Sequence, residues 1–274
     1  GSDPIVVTGS GEGVAIEAAP VSATIFSKEM LEALALPATA DLLRLAPGVS
    51  VATTGPRGTQ TQLRIRGAEA NHTLLFVDGI RFNDPAAGNE ARFELLTNDA
   101  LSRVEVVRGP QSALWGSEAI GGVIGVETGK EGGIRANAEY GSLDSVRASA
   151  GFAVPAGDLR ISAAAGFLGS DGIDSFGAGG GRDGFENRSA RLEGVFAPLP
   201  APGFGLVAHL IDAETEFDGT DPATFRRADT LDATDNRLFA VRGWGAHESG
   251  GWSLLLDGSW LDSSNRNRRG ETRL

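Results

Sequence analysis

The 274-residue sequence contains no cysteine. That excludes a disulfide framework, a thiolate metal site and a thiol nucleophile. There are only three histidines, His72, His209 and His247, widely separated and without carboxylates at zinc-site spacing. Basic charge is in short supply: the net charge is −12, and residues 1–130 (10 basic, 15 acidic) and 131–274 (14 basic, 21 acidic) are both acidic. Nucleic acid is therefore excluded as a partner, because phosphate binding needs a basic face. No run of 18 apolar residues is present, so no transmembrane helix is predicted. The opening Gly1-Ser2-Asp3 is polar and lacks a signal peptide's apolar core; any secreted form would be a mature one. The absence of a transmembrane helix does not exclude the membrane, because closed barrels cross it with alternating strands.

Enzymatic motifs are missing as well. Gly116 to Gly122 is glycine-rich but has no Lys-Ser/Thr to make a phosphate loop. There is no Gly-x-Ser-x-Gly elbow or triad, and nothing selects a carboxylate dyad from the scattered acids. The reading is of a protein that is not an enzyme.

What is abundant is glycine, 39 residues, in a chain that is 41% hydrophobic. That content is ample for a folded core. Up to about Lys130 helical and strand patterns mix. Val21 to Phe26 reads as a strand. Ser27 caps a helix with Met30, Leu31 and Leu34 on one face. Thr39 to Leu45 is a second helix, ended by Pro47-Gly48. Val49–Val51, Gln62–Ile65, Thr73–Val77, Leu101–Val107 and Val123–Glu127 read as strands, and Asp78-Gly79 as a tight turn.

Beyond Lys130 helical periodicity stops. In Leu159–Phe167 the odd positions are apolar and the even ones small or polar; Ala190, Leu192, Gly194 and Phe196 oppose Arg191 and Glu193. Trp252, Leu254, Leu256 and Trp260 share one parity, opposed by Ser253, Asp257 and Ser259. At about 3.3 Å per residue and a 40° tilt the two tryptophans lie roughly 20 Å apart along a barrel axis, near the height of a membrane barrel's apolar band. A soluble sandwich fits the alternation equally well. The connections favour the barrel: Ala156-Gly157 is short, whereas Gly169–Glu186 and Ala213–Asn236 are long and polar. About seven strands are predicted between Ile134 and Leu261. A wide plugged barrel needs roughly 22, so a fragment is expected.

Three segments then stand in a telling order: Leu63-Arg64-Ile65-Arg66-Gly67; Thr73 to Arg81, containing Val77-Asp78-Gly79; and Val104 to Ile124, containing Arg108-Gly109-Pro110-Gln111-Ser112 and Trp115-Gly116. Over residues 3–129 the chain resembles the plug of TonB-dependent outer-membrane receptors, and within that family the vitamin B12 receptors. The resemblance implies an α+β plug domain (14–130) after a TonB box and linker (1–13), followed by the first antiparallel transmembrane β-barrel strands (131–274, a partial barrel). It implies energy-coupled import across a Gram-negative outer membrane, most simply of a corrinoid (cobalamin), otherwise of a ferric siderophore, and in third place a carbohydrate. A passive barrel adhesin is the competing class. The implied partners are TonB, outer-membrane lipid and a small-molecule ligand.

Site residues follow from the same resemblance. Asp3, Pro4, Ile5, Val6, Val7, Thr8 and Gly9 match the TonB box, an extended segment suited to adding as a strand to a partner's sheet. Gln60, Gln62, Glu69, Ala87 and Gly88 fall where the B12 receptors touch ligand, although Glu69 stands in place of a neutral amide and Gln60 in place of an apolar residue. Arg64, Arg66, Arg103 and Arg108 match plug arginines that pair with barrel carboxylates. Asp174, Asp183, Asp218 and Asp235 lie near a calcium site, with Gly181 where the pattern has an acid.

Overall fold

The computed structural model describes residues 22–129, 132–177, 180–197, 203–249 and 251–270, together with the backbone of a short strand pair at Ile5–Val6 and Val14–Ala15. The chain forms two compact units. The first comprises Gly1–Thr53 and Gln60–Gly129; the second comprises Thr54–Thr59 and Lys130–Leu274.

In the first unit β1 (Ile5–Val6) pairs antiparallel with β2 (Val14–Ala15). There follow β3 (Ser22–Phe26), α1 (Lys28–Leu34), α2 (Thr39–Leu43), β4 (Val49–Thr53), β5 (Thr61–Ile65), β6 (Thr73–Val77), β7 (Ile80–Arg81), β8 (Asn83–Asp84), β9 (Glu90–Ala91), β10 (Leu101–Arg108), α3 (Ser112–Trp115) and β11 (Gly122–Thr128). A five-stranded sheet runs β3-β10-β11-β6-β7, with β6 and β11 parallel and the other neighbours antiparallel. The parallel pair is covered on both faces, so its sequence is almost continuously apolar: Leu74, Leu75, Val123 and Ile124 are wholly buried, with Val104, Val106 and Val107 beside them.

Local signals explain the element ends. The Ser27 hydroxyl accepts the Met30 N–H at 3.5 Å, and α1 ends where Ala35 turns left-handed and donates to the Leu31 carbonyl. Of the expected apolar face only Leu31 is buried; Met30 and Leu34 are exposed. Between β6 and β7, Asp78 and Gly79 both take positive φ, 48° and 79°, as a two-residue turn joining twisted strands demands. The Asp78 carboxylate then accepts both the N–H (2.9 Å) and the hydroxyl (2.6 Å) of Thr128, fixing the last residue of β11.

The second unit is a seven-stranded antiparallel meander in sequence order: β12 (Gly133–Tyr140), β13 (Val146–Ala156), β14 (Leu159–Ile173), β15 (Asp183–Phe196), β16 (Phe204–Phe217), β17 (Asp232–Ser249) and β18 (Trp252–Arg268). Its strands reach further than the alternation alone indicated, and the two long connections shrink to 174–182 and 218–231. Register explains the gain. Beyond the apolar stretch the rungs continue as Arg188–Asp212–Arg237, with Arg237 Nε 3.3 Å from the Asp212 carboxylate. The ladder therefore outlasts the hydrophobic period.

Candidate functional site

The sheet of the second unit has two faces of opposite character. One rung crosses all seven strands as Ile134, Phe152, Ala163, Leu192, Ala208, Val241 and Trp260. Every member is apolar, yet Ile134 is 86% exposed and Leu192 and Trp260 are each 57% exposed. One residue along, on the other face, the rung reads Arg135, Gly151, Ala164, Arg191, His209, Ala240 and Leu261. Arg191, Glu193, Ser162, Asn187 and His209 are all buried there. For Arg191, Ser162 and Glu193 the burial is matched by pairing. Arg191 donates to the Ser162 hydroxyl at 2.8 Å and lies 3.1 Å from Glu193, Ser162 donates to Glu193 at 3.2 Å, and Arg160 approaches the same carboxylate at 3.9 Å. Apolar-out and charged-in is the arrangement of a strand whose outer solvent is hydrocarbon. No helix among the described residues is long and apolar enough to cross a membrane.

Residues 54–59 belong to this second unit although they connect β4 to β5. Thr215 donates its hydroxyl to the Gly58 carbonyl at 3.1 Å, on the charged face. Gly58 has φ +89°, and a Cβ there would fall 2.1 Å from the Phe185 ring. Both the backbone conformation and the contact require glycine.

In the first unit, two of the five expected ligand residues converge. Gln60 Nε2 donates to Glu90 Oε2 at 3.1 Å, and Gln62 Nε2 donates to Glu90 Oε1 at 2.8 Å. Arg64 donates in turn to Gln62 Oε1 at 3.3 Å. Ala87 and Gly88 close the single 3-10 turn 85–87 that leads into β9, with Gly88 left-handed. Glu69 does not join them: it is exposed beyond the far end of β5, preceding the 3-10 turn 70–72. Glu90 was expected only as the end of the ligand-contacting segment Asn83–Glu90, not as one of the five site residues. The signal available was Gln60-x-Gln62 at strand spacing, two amide donors flanking Thr61, the first residue of β5.

The turn that presents Glu90 is rigidly held. Buried Asn83 accepts the Leu75 N–H (2.9 Å) and donates to the carbonyls of Thr73 (3.0 Å) and Asn89 (2.9 Å). Asp84 accepts the Ala86 N–H at 2.9 Å, and Asn89 donates to the Asn71 carbonyl at 3.4 Å. Below, Arg92 lies between Glu94 (2.6 Å) and Asp84 (3.6 Å). Burial pushes the Glu94 carboxyl up from its ordinary value, and the opposing pull of Arg92 does not cancel it.

The four plug arginines are placed as follows. Arg64 is bonded to Gln62. Arg66, left-handed at φ 53°, donates its N–H to the Gly48 carbonyl at 2.8 Å. Arg103 pairs with Glu105. Arg108 donates to the Ser22 hydroxyl, the Thr24 hydroxyl and the Ala23 carbonyl, tying the end of β10 to edge strand β3. Desolvation, and after it the neighbouring charge of Arg66, lowers the Arg108 pKa. Of the TonB-box positions, Asp3, Pro4, Val7, Thr8 and Gly9 lie outside the described residues.

The four aspartates do not assemble. Asp183 and Asp218 meet at the Ser175 hydroxyl, whose single proton lies within reach of both, with Asp218 at 2.9 Å. Asp174 instead accepts the N–H groups of Gly177 (2.7 Å) and Gly180 (2.9 Å). Asp235 lies on the apolar-row side of the sheet, where Arg268 holds it at 2.8 Å. Among the described residues no three acidic or histidine side chains gather as a metal site. As a single calcium shell of six to eight oxygens the set does not fit, because Arg268 already supplies the positive charge that a cation would bring to Asp235.

Comparison with known proteins agrees with this geometry. Residues 15–123 match the family described as TonB-dependent Receptor Plug Domain. Over 127 residues the chain is 36% identical to the vitamin B12 transporter BtuB of Vibrio vulnificus, an alignment spanning 46% of this chain and 21% of that protein. Over 136 residues it is 40% identical to the iron-regulated outer membrane virulence protein of Vibrio cholerae serotype O1, spanning 47% and 20%. These alignments thus span about one fifth of the curated relatives' length. Among solved structures, the alcaligin outer membrane receptor FauA of Bordetella pertussis shares the fold, with a TM-score of 0.74 at 17% identity, over 96% of this chain and 42% of that one. Residues 15–123 thus match the TonB-dependent receptor plug domain, and seven antiparallel strands follow them in a fold shared with FauA.

Proposed function

We propose that the receptor built on this chain resides in the outer membrane and imports a large, scarce nutrient, TonB pulling on residues 3–9 to displace the plug. The observation that carries this reading is a sheet that exposes Leu192, Leu206 and Trp260 while burying Arg191, Glu193 and His209, following a plug-domain match in one chain. A passive adhesin has no use for a plug. For the ligand we favour a corrinoid, supported by the amide-and-carboxylate cluster of Gln60, Gln62 and Glu90, which offers hydrogen bonds to a corrin's peripheral amides. A ferric siderophore is the second reading, favoured by the iron-regulated relative.

Two measurements on the full-length receptor test this. Deleting residues 3–9 is expected to leave ligand binding intact and abolish uptake in cells; undiminished uptake would sink the TonB-box assignment. Equilibrium binding of cyanocobalamin in detergent, with calcium and with chelator, is expected to be tight in both. Loss in chelator alone would mean that the aspartate loops rearrange around a cation, and absence of binding in both would remove the corrinoid.

A further inference from the structure

The carboxylate of Glu90 is held by two amide donors, Gln60 just before β5 and Gln62 within it, one donor to each oxygen. Such a bracket does not stabilise a core: Gln60 is exposed, and Gln62 and Glu90 are half-buried. What it does is orient. The Arg64 guanidinium bonds to Gln62 Oε1, and this turns the Gln62 N–H groups toward Glu90. The turn leading into Glu90 is fixed from beneath by Asn83, which is itself buried and fully engaged. The carboxylate is thus presented in one position before anything binds, which removes the ordering cost from a binding event. A carboxylate has about four acceptor positions; the two amides fill two, so each oxygen keeps one.

We propose that Glu90 is a specificity-determining residue of the plug, selecting a neutral or cationic ligand that presents N–H donors, such as primary amides or an ammonium, and rejecting anionic iron chelates. This rests on the import reading above. The chemistry is one of sign. A donor-bearing ligand gains a charge-assisted hydrogen bond from the fixed carboxylate. A polyanionic chelate meets a like charge that cannot swing away, because Gln60 and Gln62 hold it, and the nearest cation on the network, Arg64, is bonded to the far side of Gln62 rather than to Glu90.

The experiment uses the full-length receptor in detergent and its Glu90→Gln and Glu90→Lys variants, with cyanocobalamin and a ferric tris-catecholate as probes and thermal melting as the fold control. Wild type is expected to prefer cyanocobalamin. Glu90→Gln, with unchanged melting, is expected to weaken cyanocobalamin about tenfold, the loss of one charge-assisted bond, and to leave the catecholate unimproved or slightly improved. Glu90→Lys is expected to invert the preference. Equal weakening of both probes, or none, would overturn the specificity role while leaving the import reading intact. Wild-type preference for the catecholate would overturn the donor-ligand class. Binding of neither probe by wild type would remove both ligand readings and the proposal with them.

Discussion

The two units of this chain obey opposite rules of burial. In the first, Leu74, Leu75, Val123 and Ile124 are hidden at the centre of the sheet. In the second, Leu192, Leu206, Leu254 and Trp260 are exposed while Arg191, Glu193 and His209 are hidden. Since the hydrophobic effect is the same in both, the difference must lie in the surroundings for which each was written. Apolar area removed from water is worth about 25 cal/mol per Å², and seven strands would not forgo it along a whole rung unless something other than water covers that face. On the proposed reading, the first sheet is built against its own side chains and the seven strands against hydrocarbon.

The comparison can be broken most forcefully by truncating one leucine in each unit. Leu75→Ala, at a wholly buried position of the parallel pair, is expected to destabilise the full-length receptor by about 2–5 kcal/mol. Leu192→Ala, with alanines on either side of it in its rung, is expected to cost under about 1 kcal/mol in detergent, because no cavity forms where solvent or lipid can fill in. Denaturant titration of both variants reads the difference. Equal losses would mean that the Leu192 face is packed against protein.

Each unit also contains a buried ion network, and the two are mirror images in sign. On the sheet, one carboxylate, Glu193, lies near two guanidiniums, those of Arg191 and Arg160. In the plug, one guanidinium, Arg92, serves two carboxylates, Glu94 and Asp84. Removing the minority charge takes away the carboxylate 3.1 Å from buried Arg191 in the one network and the guanidinium 2.6 Å from buried Glu94 in the other. Glu193→Gln is therefore expected to cost about 3–5 kcal/mol, again by denaturant titration, with partial recovery when Arg191→Met is added. Lack of recovery would show that the loss is of shape rather than charge.

Much of this architecture was legible in the sequence, and the exceptions share a cause. Period-two alternation gave about seven strands and the faces of three of them, Ser27 gave the start of α1, and Asp78-Gly79 gave a turn, because each is a local rule acting over a few residues. The extra rungs above the apolar stretch were not legible, since Arg188, Asp212 and Arg237 are polar on the face that periodicity expects to be apolar. Nor was the placement of residues 54–59 in the second unit, which depends on Gly58 fitting against Phe185, more than a hundred residues away. The candidate site divides in the same way. Gln60 and Gln62 were found by resemblance, whereas Glu90 becomes visible only when β5 and the turn before β9 come together, and Asp235 is removed from the aspartate set by Arg268 at the other end of a register.

The smallest expected effect is the sharpest test of the mirror-image idea, because its sign differs from that of Glu193. Glu94 is the surplus acid of the plug network, and burial holds its proton on above the ordinary value of 4.5. The folded state therefore binds more protons than the unfolded state in the window from about 4.5 up to the raised value, and stability falls as pH rises through it. Glu94→Gln abolishes that slope. The amide oxygen can still accept the Thr61 N–H that Glu94 Oε2 accepts at 3.3 Å, and Arg92 keeps Asp84 at 3.6 Å, so no charge is stranded. At pH 7.5 the variant is expected to be as stable as wild type within about 1 kcal/mol, and at pH 5 relatively less so. Paired denaturant titrations at the two pH values decide it: a loss as large as that of Glu193→Gln, with no dependence on pH, would show that Arg92 needs both carboxylates and that the two networks are not opposites.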